Sequence, residues 1–88
     1  MQYLYSRQKR LKTRISRNLD ILIGSVVKSP SMGGHCLTDK VKSVTVTRYL
    51  RKSVVDEARR MTRQTQRLWK LLRALSRVNW EILKHKAR

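Results

Sequence analysis

Residues 53–88 read SVVDEARRMTRQTQRLWKLLRALSRVNWEILKHKAR, and no Gly or Pro interrupts them. Mostly apolar residues recur along this stretch at alternating steps of four and three, which is the a/d pattern of a long α-helix. Ser53, followed three residues later by Asp56, has the spacing of a capping box and indicates where the helix begins. We therefore predict a helix over residues 53–86, with an apolar line that we call the predicted seam: Val54, Ala58, Met61, Thr65, Leu68, Leu72, Leu75, Asn79 and Ile82.

Cations occupy the opposite side of the same predicted helix. Every seventh residue from 63 to 84 is Arg or Lys, and at about 1.5 Å per residue this line is roughly 31 Å long. Further Arg residues widen the line on both sides. The predicted helix therefore has a cationic edge that can follow phosphates: Arg59, Arg60, Arg63, Arg67, Lys70, Arg73, Arg77 and Lys84.

Four polar or aromatic side chains on or beside the predicted seam need separate interpretations. Thr65 and Asn79 occupy seam positions where apolar residues would bury better. A buried Asn can fix the register of a coiled coil, and the alternative is a polar contact with the hairpin or with solvent. Trp69, next to the seam, is predicted to belong to the core. Trp80 leaves the seam between two cations, where it can stack on an unpaired base or cover a protein partner.

A second basic amphipathic helix is predicted for residues 3–18. Leu4, Leu11 and Ile15 recur there at helical spacing, and the first nineteen residues contain no acid. The narrow apolar edge suits antiparallel packing on the predicted seam. The cations of this helix complete the predicted nucleic-acid surface: Arg7, Lys9, Arg10, Lys12, Arg14 and Arg17.

The middle of the chain changes to β patterns. Residues 21–28 are rich in β-branched side chains and residues 41–49 alternate in polarity, which predicts a small antiparallel hairpin within residues 21–50. Turn-forming residues between them predict a loop over residues 29–40. A two-stranded ribbon is marginal alone, so the helices must cover it. The sequence therefore predicts one small basic α+β domain over residues 1–88.

The charge of the chain indicates its class of partner. The 22 Lys and Arg residues outnumber 5 Asp and Glu, which gives a net charge of +17 on 88 residues. Such a density of like charge repels itself unless an anion is bound. Nucleic acid is the first candidate, because most of the cations are Arg, whose planar guanidinium group suits phosphate. A membrane is not an expected partner, because no run approaches the roughly twenty apolar residues of a spanning helix.

Few residues could support catalysis or bind a cofactor. The acids are scattered, no glycine-rich phosphate loop follows a strand, and no enzyme activity is expected. Cys36 is the only cysteine, and a zinc site built on it and His35 would need at least two further ligands. We expect neither a metal nor another cofactor.

Four short features carry a family resemblance: Gly24-Ser25-Val26-Val27-Lys28, Gly34-His35, Thr45-Val46-Thr47-Arg48-Tyr49-Leu50 and the long charged helix with an Asn near its end. In this order, they resemble a family of small prokaryotic proteins of unknown function, over roughly residues 18–84. Members are often encoded near transposases, so the resemblance implies a mobile-element or ribonucleoprotein setting. Typical relatives carry three cysteines and a Gly-Pro-Tyr-Tyr element between the strands. This chain has only Cys36 there, so no zinc function is carried over.

These features predict a non-catalytic RNA-binding protein that neutralises phosphates and stabilises folded RNA within a ribonucleoprotein such as a ribosome. The alternative is a DNA-binding or protein-interaction accessory of a transposition system. RNA is favoured over DNA as the ligand, other proteins of a larger complex are expected, and a homodimer through Leu68, Leu72 and Leu75 is a further option. We expect a cytoplasmic location. The Arg-rich, acid-free N-terminal segment leaves the matrix of an organelle as the alternative.

Overall fold

The computed structural model describes residues 1–29 and 33–87. Its elements are helix α1 (Gln2–Ser16), strands β1 (Ser25–Ser29), β2 (Gly34–Val41) and β3 (Val44–Leu50), a 3-10 turn (Lys52–Val54) and helix α2 (Val55–Lys86). The predicted α+β class is confirmed. Both helices begin and end within two residues of their predicted bounds. The chain divides into two compact units: unit 1 comprises Met1–Asp20 and Gln66–Arg88, and unit 2 comprises Ile21–Thr65.

The sheet of unit 2 has three antiparallel strands in the order β1-β2-β3. Cys36 of β2 lies between Val27 of β1 and Tyr49 of β3 in the strand register. The predicted two-stranded hairpin was therefore wrong, because β2 occupies most of the stretch predicted as a loop over residues 29–40. Residues 30–32 of that predicted loop lie outside the described residues.

The turn between β2 and β3 explains why the sequence pattern did not reveal β2. Val41 pairs with Val44, so only Lys42 and Ser43 connect the two strands. Both residues have positive φ, 52° and 68°. Two-residue hairpin turns with two positive φ values ordinarily contain Asn-Gly or Asp-Gly. The sequence Lys-Ser does not signal such a turn. The pairing of β2 with β3 holds these two residues in a conformation that they do not prefer.

Gly24 is required at the entry to β1. Its φ is +132°, and a Cβ at this position would lie 2.5 Å from the carbonyl oxygen of Thr38. A side chain here would strain the backbone and push it away from β2.

We expect Gly24→Ala to lower the free energy of unfolding by on the order of 1–3 kcal/mol, the usual cost of such strain. Gly33→Ala is the matched control, because Gly33 also has a positive φ, +65°, but has open space around its Cβ position. Urea denaturation followed by circular dichroism measures both. Equal losses for the two variants would contradict the assigned steric role of Gly24.

The N-terminal part of α2 belongs to unit 2. Val55, Ala58 and Thr65 are buried there. The O–H of Thr65 donates to the carbonyl of Leu22 at 2.7 Å, and the hydroxyl oxygen accepts from the N–H of Leu22 at 3.2 Å. This reciprocal pair holds the segment before β1 on the helix. Of the two interpretations of Thr65, the polar contact within the chain is the one observed.

The predicted start of this helix needs a correction. Ser53 is not the N-cap of α2, because it lies inside the 3-10 turn that precedes the helix. The N-cap of that turn is Arg51, and no side chain caps it. Asp56 and Glu57 do lie in the first turn of α2, as expected from their favourable position near the positive end of the helix dipole.

In unit 1, α1 packs on the C-terminal part of α2. The buried cluster consists of Leu11 of α1 with Leu71, Val78 and Ile82 of α2. Four partly buried residues pack around it: Leu4, Ile15, Ala74 and Leu75. The Nε2 of Gln8 donates to the Oδ1 of Asn79 at 2.8 Å. This bond joins the first half of α1 to the later part of α2, in agreement with the predicted antiparallel packing. The side chain of Asn79 therefore makes a polar contact within the chain.

The buried positions of α2 differ from the predicted seam. In unit 1 the buried positions are 68, 71, 78 and 82, and position 75 is partly buried, so Leu71 and Val78 replace the predicted Leu72 and Asn79. Leu72 is 37% exposed, and Trp69, predicted as core, is 54% exposed. The physical reason is that the packing partner changes along the helix. Thr65 is buried in unit 2, whereas the buried positions Leu71, Val78 and Ile82 pack on α1. One unbroken heptad count could not anticipate that change.

The correction extends to two other parts of the predicted seam. Val54 is 44% exposed, and its neighbour Val55 is buried instead. Leu68 is buried within the chain, so the homodimer seam predicted from Leu68, Leu72 and Leu75 is partly occupied by the fold itself.

Candidate nucleic-acid interface

The positive charge is concentrated in unit 1. This unit holds 13 of the 22 Lys and Arg residues but only 2 of the 5 acids, a net charge of +11. Helix α1 contributes five of these cations and no acid. Packing of α1 on α2 therefore brings many like charges close together, which favours binding of a polyanion.

A cleft between the two helices collects part of this charge. It has a volume of about 360 Å³, and we call it the α1–α2 cleft; it is lined by Tyr3, Arg7, Arg10, Leu11, Arg14, Leu71 and Ala74. Leu11 and Leu71 are buried and form its floor. The three arginines follow one another at steps of three and four, so they lie on one side of α1. They span roughly 10 Å along the helix axis.

Helix α2 adds two cations beside the same cleft. Arg67 lies four residues before Leu71, and Lys70 lies four residues before Ala74, so each lies one helical turn from a cleft residue. Both are exposed. Cations thus flank the α1–α2 cleft from both helices, which is the arrangement expected of a surface that follows a phosphate backbone.

The cleft arginines are not neutralised by any carboxylate among the residues that the structure describes. Among residues 1–29 and 33–87, none of the cations of α1 forms a salt bridge. On α2, Arg60 bonds Glu57 through its Nε at 3.2 Å, and Lys84 lies 3.1 Å from Glu81. Exposed pairs of this kind are weak. Arg60 and Lys84 nevertheless offer less free charge to a ligand than Arg7, Arg10 and Arg14 do.

The remaining predicted binding residues are all exposed but lie outside the cleft lining. Three of them are elsewhere on α1 or just after it: Lys9, Lys12 and Arg17. Two lie in the unit 2 part of α2: Arg59 and Arg63. Two lie on α2 beyond Lys70: Arg73 and Arg77. Trp80 is 60% exposed, so its predicted departure from the core is confirmed.

Tyr3 is a cleft residue that the sequence interpretation missed. It is 66% exposed and lines the cleft beside the arginines. Its spacing offered a signal, since Arg7 and Arg10 follow it by four and seven residues and therefore share its side of α1. Its aromatic ring gives the cleft a surface on which a base can stack.

The part of the chain that the structure describes contains no group of three or more His, Cys, Asp or Glu side chains that could hold a metal ion. Cys36 is buried in the sheet, with 1% of its surface exposed. None of the described helices combines the length and the apolar character needed to cross a membrane.

Comparisons of the chain with protein-family models, with curated proteins and with solved structures found no significant match.

Proposed function

We propose that the protein is a non-catalytic RNA-binding protein that stabilises folded RNA within a ribonucleoprotein. The observation that carries this proposal is the α1–α2 cleft, where Arg7, Arg10 and Arg14 stand side by side without a carboxylate partner among the described residues. Arginine binds phosphate through a planar fork and is more weakly hydrated than lysine, so it suits this role. Neutralisation of phosphates by the cleft would let RNA segments approach each other.

RNA is favoured over duplex DNA because of the aromatic residue at the cleft. Tyr3 can stack on an unpaired base, and RNA loops and bulges present such bases, whereas a DNA duplex keeps them stacked. The alternative role as a DNA-binding accessory of a transposition system rests on the family resemblance alone. A ribosomal setting and a cytoplasmic location are part of the same proposal and depend on the identity of the RNA.

A charge-neutralising variant tests the proposal. In the cleft variant, Arg7, Arg10 and Arg14 are changed to Gln, which keeps helix propensity and removes three positive charges. We expect its affinity for a structured RNA to fall at least about tenfold, because three phosphate contacts are lost. Fluorescence anisotropy with labelled RNA and with a DNA duplex of equal length measures the effect.

The sheet variant, Lys28, Lys40 and Lys42 to Gln, is the matched control. It removes the same charge from exposed positions of unit 2. If the cleft matters, the sheet variant binds RNA nearly as tightly as the wild type. Equal weakening by both variants would show that net charge alone drives binding, and tighter binding of the DNA duplex than of RNA would favour the DNA alternative.

A further inference from the structure

Helix α2 carries a second apolar face, which the described part of the chain leaves exposed. Trp69, Leu72, Trp80 and Leu83 are 54%, 37%, 60% and 58% exposed. With Ser76 they follow one another at steps of three and four, so they lie along one side of the helix. The line spans fourteen residues, or roughly 21 Å. We call these four large side chains the apolar strip.

The apolar strip is distinct from the core of unit 1. Helix α1 packs on Leu71, Val78 and Ile82, which lie on a different side of α2. A shallow groove of about 340 Å³ runs along the strip and is lined by Leu72, Leu75, Ser76, Asn79, Trp80 and Leu83. Two exposed tryptophans and two exposed leucines lie along this side of the helix with Ser76 between them, and exposed apolar patches of this kind mark protein contacts.

Charges along the strip limit what can cover it. Arg73 lies four residues after Trp69, Arg77 lies three before Trp80, and Lys84 lies four after Trp80. No acid lies on α2 between residues 66 and 80, and Glu81 is engaged by Lys84. A second copy of the chain would place the same cations, and the net charge of +11 that its unit 1 carries, next to the apolar strip. A partner with acids beside its apolar residues would satisfy both features.

We propose that the apolar strip binds an acidic amphipathic helix of a partner protein. The apolar side chains of that helix would pack between Trp69 and Leu83, in the manner of a helix bound in a hydrophobic groove. Its acids would pair with Arg73 and Arg77. This proposal goes beyond RNA binding, since no residue of the strip lines the α1–α2 cleft, and it assigns Trp80 to a protein contact.

A designed peptide tests the proposal directly. The probe is a labelled helical peptide with Leu at its a and d positions and Glu at most others, titrated with the full chain at about 150 mM salt, where distant charges are screened. A peptide of the same composition in scrambled order is the first control. The proposal predicts that the amphipathic peptide binds at least about tenfold more tightly than the scrambled one, since only the former presents an apolar face.

Two variants locate the binding surface. Leu72→Gln with Leu83→Gln changes two exposed residues of the strip and should reduce peptide affinity at least about tenfold, with unchanged circular dichroism. Val41→Gln with Val44→Gln changes two exposed apolar residues of unit 2 and should have no such effect.

Three outcomes would overturn the proposal. Equal affinity for the amphipathic and scrambled peptides, or no peptide binding, would exclude an acidic amphipathic helix as the occupant. A wild-type dimer in sedimentation experiments that the Leu72 and Leu83 changes dissociate would identify a second copy as the occupant. If Trp80→Ala weakens RNA binding as much as the cleft variant does, the strip is part of the RNA surface. None of these three outcomes would contradict RNA binding by the protein. Conversely, a failure to bind RNA would not affect the binding of the peptide to the apolar strip.

Discussion

The affinity of the protein for RNA is expected to fall about a thousandfold when monovalent salt rises from about 50 to about 200 mM, if on the order of six phosphates are neutralised. The estimate of six follows from the five cations that flank the α1–α2 cleft and at least one neighbour on α1. Each neutralised phosphate releases counterions, and added salt opposes that release. The dissociation constant measured by anisotropy across this salt range provides the slope.

The cleft variant supplies the control for this slope. Removing Arg7, Arg10 and Arg14 should make the dependence of log Kd on log salt shallower by about one for each lost contact. A wild-type affinity that does not change with salt would contradict an electrostatic origin of binding.

Leu71→Ala is expected to destabilise the protein by about 2–5 kcal/mol, the usual loss for a buried leucine. Leu71 belongs to the cluster that joins α1 to α2, and only 9% of its surface is exposed. A domain of this size rarely has more than about 3–5 kcal/mol of stability from its core, so unit 1 is expected to lose its fold. RNA binding would then be lost with it, because the cleft requires both helices.

Leu72→Ala is the matched control, as the adjacent residue undergoes the same change in size. Leu72 is 37% exposed, so its truncation should cost much less. Urea denaturation of the two variants measures the difference. Equal losses would mean that the chain buries the predicted seam, with Leu72 inside, and that the packing of α1 on Leu71 described above is wrong.

Hydrophobic periodicity predicted the elements that carry a long, regular signal. Both helices were found with nearly correct ends, because their apolar residues recur over several turns without Gly or Pro. The alternation of Val44 and Val46 with threonines likewise identified β3. The exposure of the cations followed from charge alone, since an unpaired Arg or Lys is costly to bury.

Features that depend on contacts distant in sequence were not predictable in the same way. Strand β2 begins at Gly34, directly after turn-forming residues, but it ends at the two-residue turn Lys42-Ser43, whose positive φ values these residue types rarely adopt. The sequence therefore gives no signal for the end of β2. The choice of Leu71 over Leu72 for the core depends on where α1 packs, and both are leucines. The cleft forms only when α1 and α2 meet, so Tyr3 could be placed on one side of α1 but not beside Leu71 and Ala74.

Photo-crosslinking of the protein to RNA, with identification of the crosslinked residue by mass spectrometry, tests the central claim most directly. Two tyrosines provide an internal comparison: Tyr3 at the cleft is 66% exposed, and Tyr49 on the sheet is 58% exposed. Since their chemistry and exposure are similar, only proximity to RNA should distinguish them. Binding in the α1–α2 cleft predicts a crosslink at Tyr3 that RNase treatment trims to a short oligonucleotide, and little or none at Tyr49. A crosslink at Tyr49 with none at Tyr3 would contradict RNA binding at the cleft.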